Sequence, residues 1–328
     1  MPPNIALVGC GAVARALYLP VLAKHQAEFG RLWLVDPSVR ARSMAESIVP
    51  GRQARTLADV DDEIQVAIVA TANHLHFQLA LESISRGADV LLEKPFVIWP
   101  EDGHALIQAA NASNRLIGIN QTRRFFPIAR ELRDRIARAE LGALRSIVHR
   151  EGGKLMWPYE SGAAFSQGAQ RTGVIMDIGV HVIDFYQYLL GPQWTFISAI
   201  HDGFDGPEGL ANIELRANDA PVSIRLSRYF SQENVARLVF ERAEISFDVY
   251  GSQTYSIRSG EIRSGQFYAS GGSSDYRSYG EPLLLNFLAA REKRESLVCK
   301  AESSLPVIDI LDEIYRRSQR YPTTPGTV

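Results

Sequence analysis

Three small residues follow the first apolar run of the chain at a spacing that suits phosphate binding. Residues 4–14 read NIALVGCGAVA, so an expected strand leads directly into Gly9, Gly11 and Ala14. In the G-x-G-x-x-G/A pattern the first glycine turns the chain, the second admits a pyrophosphate, and the third small residue packs helix on strand. The pattern predicts a dinucleotide site at a helix N-terminus, with an ordinary strand-to-helix turn as the alternative. The predicted cofactor contacts of this turn are Gly9, Gly11, Ala12 and Val13.

An acidic residue ends the second expected strand. Residues 31–36 read RLWLVD, which places Asp36 roughly 20 or more residues beyond the glycines, where a carboxylate would bind the adenosine ribose hydroxyls. Its negative charge would repel a 2′-phosphate, which favours NAD over NADP. Arg40 and Arg42 follow closely enough along the chain to leave NADP open.

Bulk composition favours a small molecule as the partner. The chain has 328 residues, which favours two domains, and its 35 Lys plus Arg nearly balance 37 Asp plus Glu. We therefore expect a small-molecule substrate and neither nucleic acid nor a membrane surface. The only cysteines are Cys10 and Cys299, and no leader or membrane-length apolar run is visible, so we expect a reducing, cytoplasmic location.

Strand and helix patterns alternate through the first 122 residues, as a parallel sheet requires. Polar residues follow the apolar run VAIVA at 66–70, and in such folds they face the ligand crevice. Among them Thr71, Asn73 and His76 are candidate cofactor contacts, although His76 could also be a plain helix-start histidine. Residues 1–122 thus predict a Rossmann domain. Beyond the strands already named, expected strands cover 53–57, 66–70, 88–92 and 116–119, and expected helices cover 13–26, 75–86 and 101–111.

The second half, residues 123–328, predicts an α+β domain with a large, mostly antiparallel open sheet. A helix over 178–190 would cover one face, and residues 265–280 are expected to form a loop. Two C-terminal helices are expected near 282–293 and 304–320, and the last could pack on either domain. The expected strands are 146–151, 194–201, 209–215, 221–229, 236–241, 243–250 and 253–258.

Further motifs give the chain a specific resemblance. It resembles the glucose-fructose oxidoreductase and inositol dehydrogenase (Gfo/Idh/MocA) family of two-domain NAD(P)-dependent enzymes. The pair of motifs EKP and D-x-G-x-H is far more specific to this family than the glycine pattern after the first strand. The matching segments, in chain order, are GCGAVA at 9–14, TANHLH at 71–76, EKP at 93–95, RRFFP at 123–127, DIGVHVID at 177–184 and a helix from Glu281 with Phe287.

The resemblance implies a site and an activity. In that family a lysine and an aspartate–histidine pair gather around the reacting carbon of a sugar or polyol, opposite the nicotinamide, and the Lys–Pro bond is commonly cis. Here these groups would be Lys94, Asp177 and His181, with a homodimer or homotetramer formed through the C-terminal sheet. Glu93 and Lys94 join the expected cofactor contacts. The expected substrate contacts are Lys94, Arg124, Trp157 (from a Gly-rich stretch), Asp177 and His181.

Residue chemistry agrees with this assignment and leaves one choice open. Oxidation of a secondary alcohol needs a base for the hydroxyl proton and a group that stabilises the developing alkoxide. Lys94 and His181 can each do either, and Asp177, one helical turn before His181, would orient the imidazole or bind a substrate hydroxyl. A surface Asp–His pair is the alternative, but the flanking residues are apolar nearly all round.

Two other activities fit the same residues. Some relatives use internally recycled NAD to hydrolyse glycosides, and others are non-catalytic nucleotide or sugar sensors, although a sensor has no need of the proton-transfer set. Arg171 and Thr172 stand where relatives commonly have glycine, so Arg171 could add a cation for an acidic or phosphorylated substrate. No metal site is expected from the sequence.

Overall fold

The computed structural model describes residues 2–154, 171–204, 206–250, 254–260, 262–269 and 275–322. Contacts divide the chain into two compact units. Of the described residues, the first unit contains 2–125 and 275–308, and the second contains the remainder. The expected site residue Trp157 lies outside the described residues.

A six-stranded parallel sheet forms the centre of the first unit. Its order, β3-β2-β1-β4-β5-β6, reverses between β1 and β4, and this confirms the predicted Rossmann fold. Strands β1, β2, β4 and β5 are buried at every residue, as apolar strands of a sheet covered on both faces must be. The strands are β1 (Ile5–Val8), β2 (Leu32–Val35), β3 (Arg52–Ala54), β4 (Val66–Val69), β5 (Asp89–Leu92) and β6 (Ile117–Ile119).

The helices of this Rossmann unit differ from expectation at one place. A helix that was not predicted, Val39–Glu46, begins at Ser38, whose hydroxyl caps it. The helical stretch predicted over 13–26 is confirmed over residues 12–24, where a π-helical turn at Ala14–Tyr18 leads directly into a short α-helix. Pro20 lies in the first turn of that α-helix, where its missing N–H is tolerated. The helices are α1 (Leu19–Lys24), α2 (Val39–Glu46), α3 (His76–Ser85) and α4 (Pro100–Ala112).

C-terminal residues complete the first unit at its β6 edge. Helix α7 (Gly280–Arg291) packs Phe287 so closely on Gly118 that a Cβ there would lie 2.7 Å from the Phe287 ring. The Ile119 N–H also donates to the Cys299 carbonyl at 2.8 Å. A glycine in β6 therefore permits this packing.

A nine-stranded mixed sheet forms the second unit. Its order is β14-β13-β12-β11-β7-β10-β9-β8-β15, and most neighbours are antiparallel, as predicted, while the β7/β10 and β8/β15 pairs are parallel. The strands are β7 (Leu144–Gly152), β8 (Trp194–His201), β9 (Leu210–Ala217), β10 (Ala220–Ser227), β11 (Val235–Phe240), β12 (Glu244–Asp248), β13 (Thr254–Arg258), β14 (Gly265–Tyr268) and β15 (Gln319–Arg320).

Helices cover one face of this sheet. Helix α6 (Val180–Leu190) continues a π-helical turn, Ile175–Gly179, and Gly179 lies over Leu226 of β10. Helix α5 (Pro127–Ala137) packs beside α6, and the last helix, α8, spans Ala301–Arg317. Part of the predicted loop over 265–280 is wrong, because β14 (Gly265–Tyr268) pairs there with the preceding strand β13.

No helix among the described residues is long and apolar enough to cross a membrane. No group of three or more His, Cys, Asp or Glu side chains among them is placed to hold a metal ion. Both cysteines are buried thiols without a disulfide.

Candidate functional site

The glycine turn after β1 has the shape that a bound pyrophosphate needs. Gly9 has φ +92°, and a Cβ there would lie 2.4 Å from the Ala70 carbonyl oxygen, so only glycine fits. A Cβ on Gly11 would meet nothing within 4 Å, which leaves open space over its backbone. Ala14 is completely buried against the sheet. Ala12 and Val13 are partly exposed at the start of the helical segment.

Asp36 joins the end of β2 to this turn. One carboxylate oxygen accepts the Cys10 N–H at 2.9 Å, and the other accepts the Ser38 N–H at 2.8 Å. Arg42 donates to the backbone carbonyl of Asp36 and to the Gln53 side chain, so its guanidinium is already engaged. The carboxylate is half-buried and is held rigidly beside the glycine turn, with lone pairs remaining for ribose hydroxyls.

Thr71 continues the same edge of the sheet. Its methyl group would be 2.9 Å from a Cβ on Gly9, and its hydroxyl oxygen is buried without a hydrogen-bond partner among the described residues. Buried hydroxyls nearly always have a partner, so a ligand atom is a natural one here. Asn73 begins the following 3₁₀ turn, Asn73–Leu75, and is partly exposed.

His76 is placed differently from the residues around it. Its ring is fully buried, with Nδ1 2.8 Å from the Pro95 carbonyl oxygen and Nε2 3.2 Å from the Thr71 carbonyl oxygen. Burial lowers the pKa of His76 to about 4. The neutral ring therefore joins the segments that follow β4 and β5, and this geometry favours a positioning role over direct cofactor contact.

The titration of His76 should make the protein sensitive to acid. Between the ordinary histidine pKa of about 6.5 and a folded value of about 4, the unfolded chain binds a proton that the folded chain rejects. The free energy of unfolding should therefore be highest above pH 6.5. It should fall by up to about 3 kcal/mol as the pH drops to 4. Thermal unfolding of wild type, His76→Gln and the exposed-site control His104→Gln at pH 7 and 5 measures this. An equal loss in wild type and His76→Gln would refute the expectation.

Glu93 and Lys94 follow β5 and have contrasting environments. Glu93 is buried, and its Oε1 accepts hydrogen bonds from Tyr18, at 2.8 Å, and from Asn120. Burial raises the pKa of Glu93, and burial with the adjacent carboxylate raises the pKa of Tyr18 well above its ordinary value. The Lys94 N–H donates to Glu93 Oε2 at 3.2 Å, while Lys94 itself is partly exposed and its bond to Pro95 is cis. The buried carboxylate thus fixes the backbone of a more accessible lysine.

Arg124 is buried within the first unit. Its guanidinium donates to the Ser303 hydroxyl at 2.7 Å and to the carbonyls of Val298 and Ser303 at 3.1 and 3.3 Å. These bonds hold residues 298–303, and the expected substrate contact of Arg124 stays a prediction.

Asp177 and His181 lie one turn apart in the second unit, Asp177 in the π-helical turn and His181 in α6. Arg228, just after β10, donates to the Asp177 carboxylate. The side chain of Asp177 is 23% exposed and that of Arg228 is 25% exposed. Arg228 was not among the predicted site residues, because a single arginine after a strand carries no local signal. This ion pair holds the Asp177 carboxylate in place.

Arg171 has a partner of its own. It forms an ion pair with Asp312 at 2.8 Å, lies over the Tyr315 ring at 4.9 Å, and is only 10% exposed at its side chain. The suggestion that Arg171 supplies a cation for an acidic substrate is therefore not supported, since Asp312 already compensates that charge.

Two family models match the chain. The model described as "Oxidoreductase family, NAD-binding Rossmann fold" (GFO_IDH_MocA) matches residues 3–121. The model described as "GFO/IDH/MocA C-terminal domain" matches residues 129–255. Together they span most of both described sheets.

Curated relatives are distant. The 1,5-anhydro-D-fructose reductase of Ensifer adhaerens is 26% identical over 62% of this chain and 62% of its own. The D-glucoside 3-dehydrogenase of Escherichia coli is 26% identical over 58% of this chain and 54% of its own. The chain thus spans between half and two-thirds of the length of these relatives.

Solved structures share the fold over nearly the whole chain. Levoglucosan dehydrogenase in complex with NADH and levoglucosan has a TM-score of 0.83 at 19% identity and covers 96% of each chain. A 3-ketoreductase from Actinomadura kijaniata in complex with NADP and TDP-benzene has a TM-score of 0.81 at 18% identity and covers 98% of this chain and 100% of its own.

Proposed function

Because the chain belongs to the GFO/IDH/MocA family of oxidoreductases with an NAD-binding Rossmann fold, we propose that it transfers a hydride between a nicotinamide and a sugar, cyclitol or related polyol. The reacting group would be a secondary alcohol or the corresponding ketone. The observation that carries the proposal is the glycine turn, where Gly9 permits a close backbone approach and Gly11 leaves open space beside the Asp36 carboxylate. The names of the distant relatives favour sugars as the substrate class.

Three side chains would carry the reaction. A bound nicotinamide would supply the hydride acceptor or donor. Lys94 or His181 would take the hydroxyl proton, and the other would stabilise the developing alkoxide by donating a hydrogen bond. Asp177, held in place by Arg228, would bind a neighbouring substrate hydroxyl or orient the imidazole of His181.

Absorbance of the reduced nicotinamide tests the proposal directly. Purified protein with NAD, and separately with NADP, is offered sugars, cyclitols and nucleotide sugars, and the matching ketones are offered with the reduced cofactors. A change for one class in wild type, absent in Lys94→Ala, supports the proposal. Substrate cleavage with no net cofactor change would instead indicate a glycoside hydrolase, and cofactor binding without turnover of any class would indicate a sensor.

We further propose that NAD is preferred over NADP because of Asp36. Replacement of Asp36 by asparagine keeps an acceptor oxygen but removes the charge that would repel a 2′-phosphate. The ratio of the dissociation constants for NADP and NAD should fall about tenfold or more, since hydrogen bonds to charged groups contribute about 1.5–3 kcal/mol. Calorimetric titration measures both constants.

A matched control separates this effect from general damage. Asp62→Asn removes another carboxylate of the same unit, one that pairs with Arg31 and Trp33 and is remote in sequence from the glycine turn. It should leave the ratio unchanged. An unchanged ratio in Asp36→Asn would show that Asp36 does not set the preference.

We propose that the chain forms a homodimer or homotetramer through the face of the second sheet that no helix among the described residues covers. Across three strands, Val148, Ser223 and Glu214 are register partners on the face opposite α6. Val148 is 39% exposed there. Val148→Glu should therefore lower the molar mass in light scattering, whereas Leu81→Glu, at a 38% exposed position on α3, should not. A monomeric wild type would refute the proposal.

A further inference from the structure

A buried carboxylate lies at the beginning of the helical segment that carries Asp177 and His181. Glu208, just before β9, is 6% exposed. Its backbone carbonyl accepts the Val174 N–H at 2.7 Å, and its Oε1 accepts the Ile175 N–H at 3.1 Å. One residue thus accepts two successive N–H groups that a helix start leaves without intrahelical partners.

Gly173 makes this approach possible. A Cβ at that position would lie 2.1 Å from Glu208 Cδ and 2.2 and 2.4 Å from the two carboxylate oxygens. Any side chain at residue 173 would therefore push Glu208 away from the helix start. The glycine and the carboxylate form a matched pair, although 35 residues separate them along the chain.

The carboxylate is held from its other side by α8. The Tyr315 hydroxyl donates to the same Oε1 at 2.6 Å, and the Tyr315 ring carries the Arg171 guanidinium, which pairs with Asp312. Burial raises the pKa of Glu208, and burial together with Glu208 raises the pKa of Tyr315 well above its ordinary value. None of the hydrogen bonds described for Glu208 reaches the side chain of Asp177 or His181. Glu208 would therefore act on these two residues through the backbone.

The segment anchored in this way is a π-helical turn. It begins at Ile175, the residue whose N–H reaches Glu208, and it ends at Gly179, with Asp177 at its centre. A π-helical turn has a different hydrogen-bond register from an α-helix and is found frequently at functional sites. Relaxation of this turn to an α-helix would rotate Asp177 relative to His181.

We propose that Glu208 is a positioning residue, which fixes the π-helical turn so that Asp177 and His181 face the substrate together; this rests on the proposed function. Glu208 touches neither reactant. It acts by accepting the Ile175 N–H, and Tyr315 orients its carboxylate for that bond.

Three variants test the role. Glu208→Met fills a similar volume without an acceptor, and should lower kcat at least tenfold while the KM for NAD stays within about twofold. Glu208→Gln keeps an acceptor oxygen and should restore most of the lost kcat. Tyr315→Phe removes the hydrogen bond to Glu208 and the one between Tyr315 and the Met176 backbone, and should give an intermediate kcat. It keeps the role testable if Glu208→Met fails to fold. Ile213→Val, a buried change in β9 that leaves these bonds intact, is the control for stability.

A second readout does not depend on turnover. The His181 imidazole signals in the NMR spectrum, identified by their loss in His181→Asn, should shift in Glu208→Met and in Tyr315→Phe, and should stay in place in Ile213→Val. Unshifted signals in both of the former variants, or wild-type kcat in folded Glu208→Met, would overturn the proposal. If the wild type turns over no substrate, the proposed reaction fails, and the His181 signals alone decide whether Glu208 positions the turn.

Discussion

Lys94→Ala should lower kcat/KM for the sugar or polyol by a hundredfold to ten-thousandfold while NAD still binds. A positioned acid or base contributes about 10²–10⁴-fold to a rate, and Lys94 is the partly exposed amine that follows the buried Glu93 at the end of β5. Lys300→Ala, an exposed lysine of the same unit, should leave kcat/KM unchanged. Steady-state kinetics with calorimetric NAD binding measures both effects.

Two more substitutions decide which side chain moves the proton. Lys94→Arg retains a positive charge that cannot be removed at working pH, so it should recover activity only if Lys94 stabilises the alkoxide. His181→Asn should then remove one limb of the pH profile of kcat/KM. If Lys94→Ala were as active as wild type, the lysine would have no part in the chemistry.

Local patterns predicted the buried strands of the Rossmann unit better than its helices. Buried parallel strands such as β1 and β4 are short apolar runs, and a run of four apolar residues before a glycine or a polar turn is visible in one sequence. Helix α2 was missed because its residues are mostly polar and its cap, Ser38, is a single residue. The helical stretch over 13–26 was predicted, but not that its residues Ala14–Tyr18 form a π-helical turn.

The candidate site was predictable only where its residues form motifs. Gly9, Asp36 and Lys94 lie at motif positions, and the structure gives each a surrounding that suits a ligand. Arg228 and Glu208 form no motif, because their partners are 51 and 33 residues away along the chain. His76 was named for its place after β4, but the bonds that bury its ring come from carbonyls that only the folded sheet brings together.

Gly9→Ala should have the largest effect on stability. The substitution combines two penalties: a positive φ of +92°, which costs an L-residue about 1–2 kcal/mol, and a Cβ 2.4 Å from the Ala70 carbonyl oxygen. That oxygen belongs to the backbone at the end of the central strand β4 and cannot move like a flexible side chain. Overpacking adds about 1–3 kcal/mol, so the free energy of unfolding should fall by about 3 kcal/mol or more. Urea or thermal unfolding measures it.

Two other glycines separate the contributions to this loss. Gly87 has a similar φ of +84° with nothing within 4 Å of its Cβ, so Gly87→Ala should show the cost of the backbone conformation alone, about 1–2 kcal/mol. Gly11→Ala meets no protein atom and should leave stability nearly unchanged, yet its methyl group would occupy the space proposed for the pyrophosphate, so NAD affinity should fall at least tenfold. Equal losses of stability in Gly9→Ala and Gly87→Ala would mean that the contact with Ala70 relaxes. Normal NAD binding by Gly11→Ala would contradict the placement of the pyrophosphate over this turn.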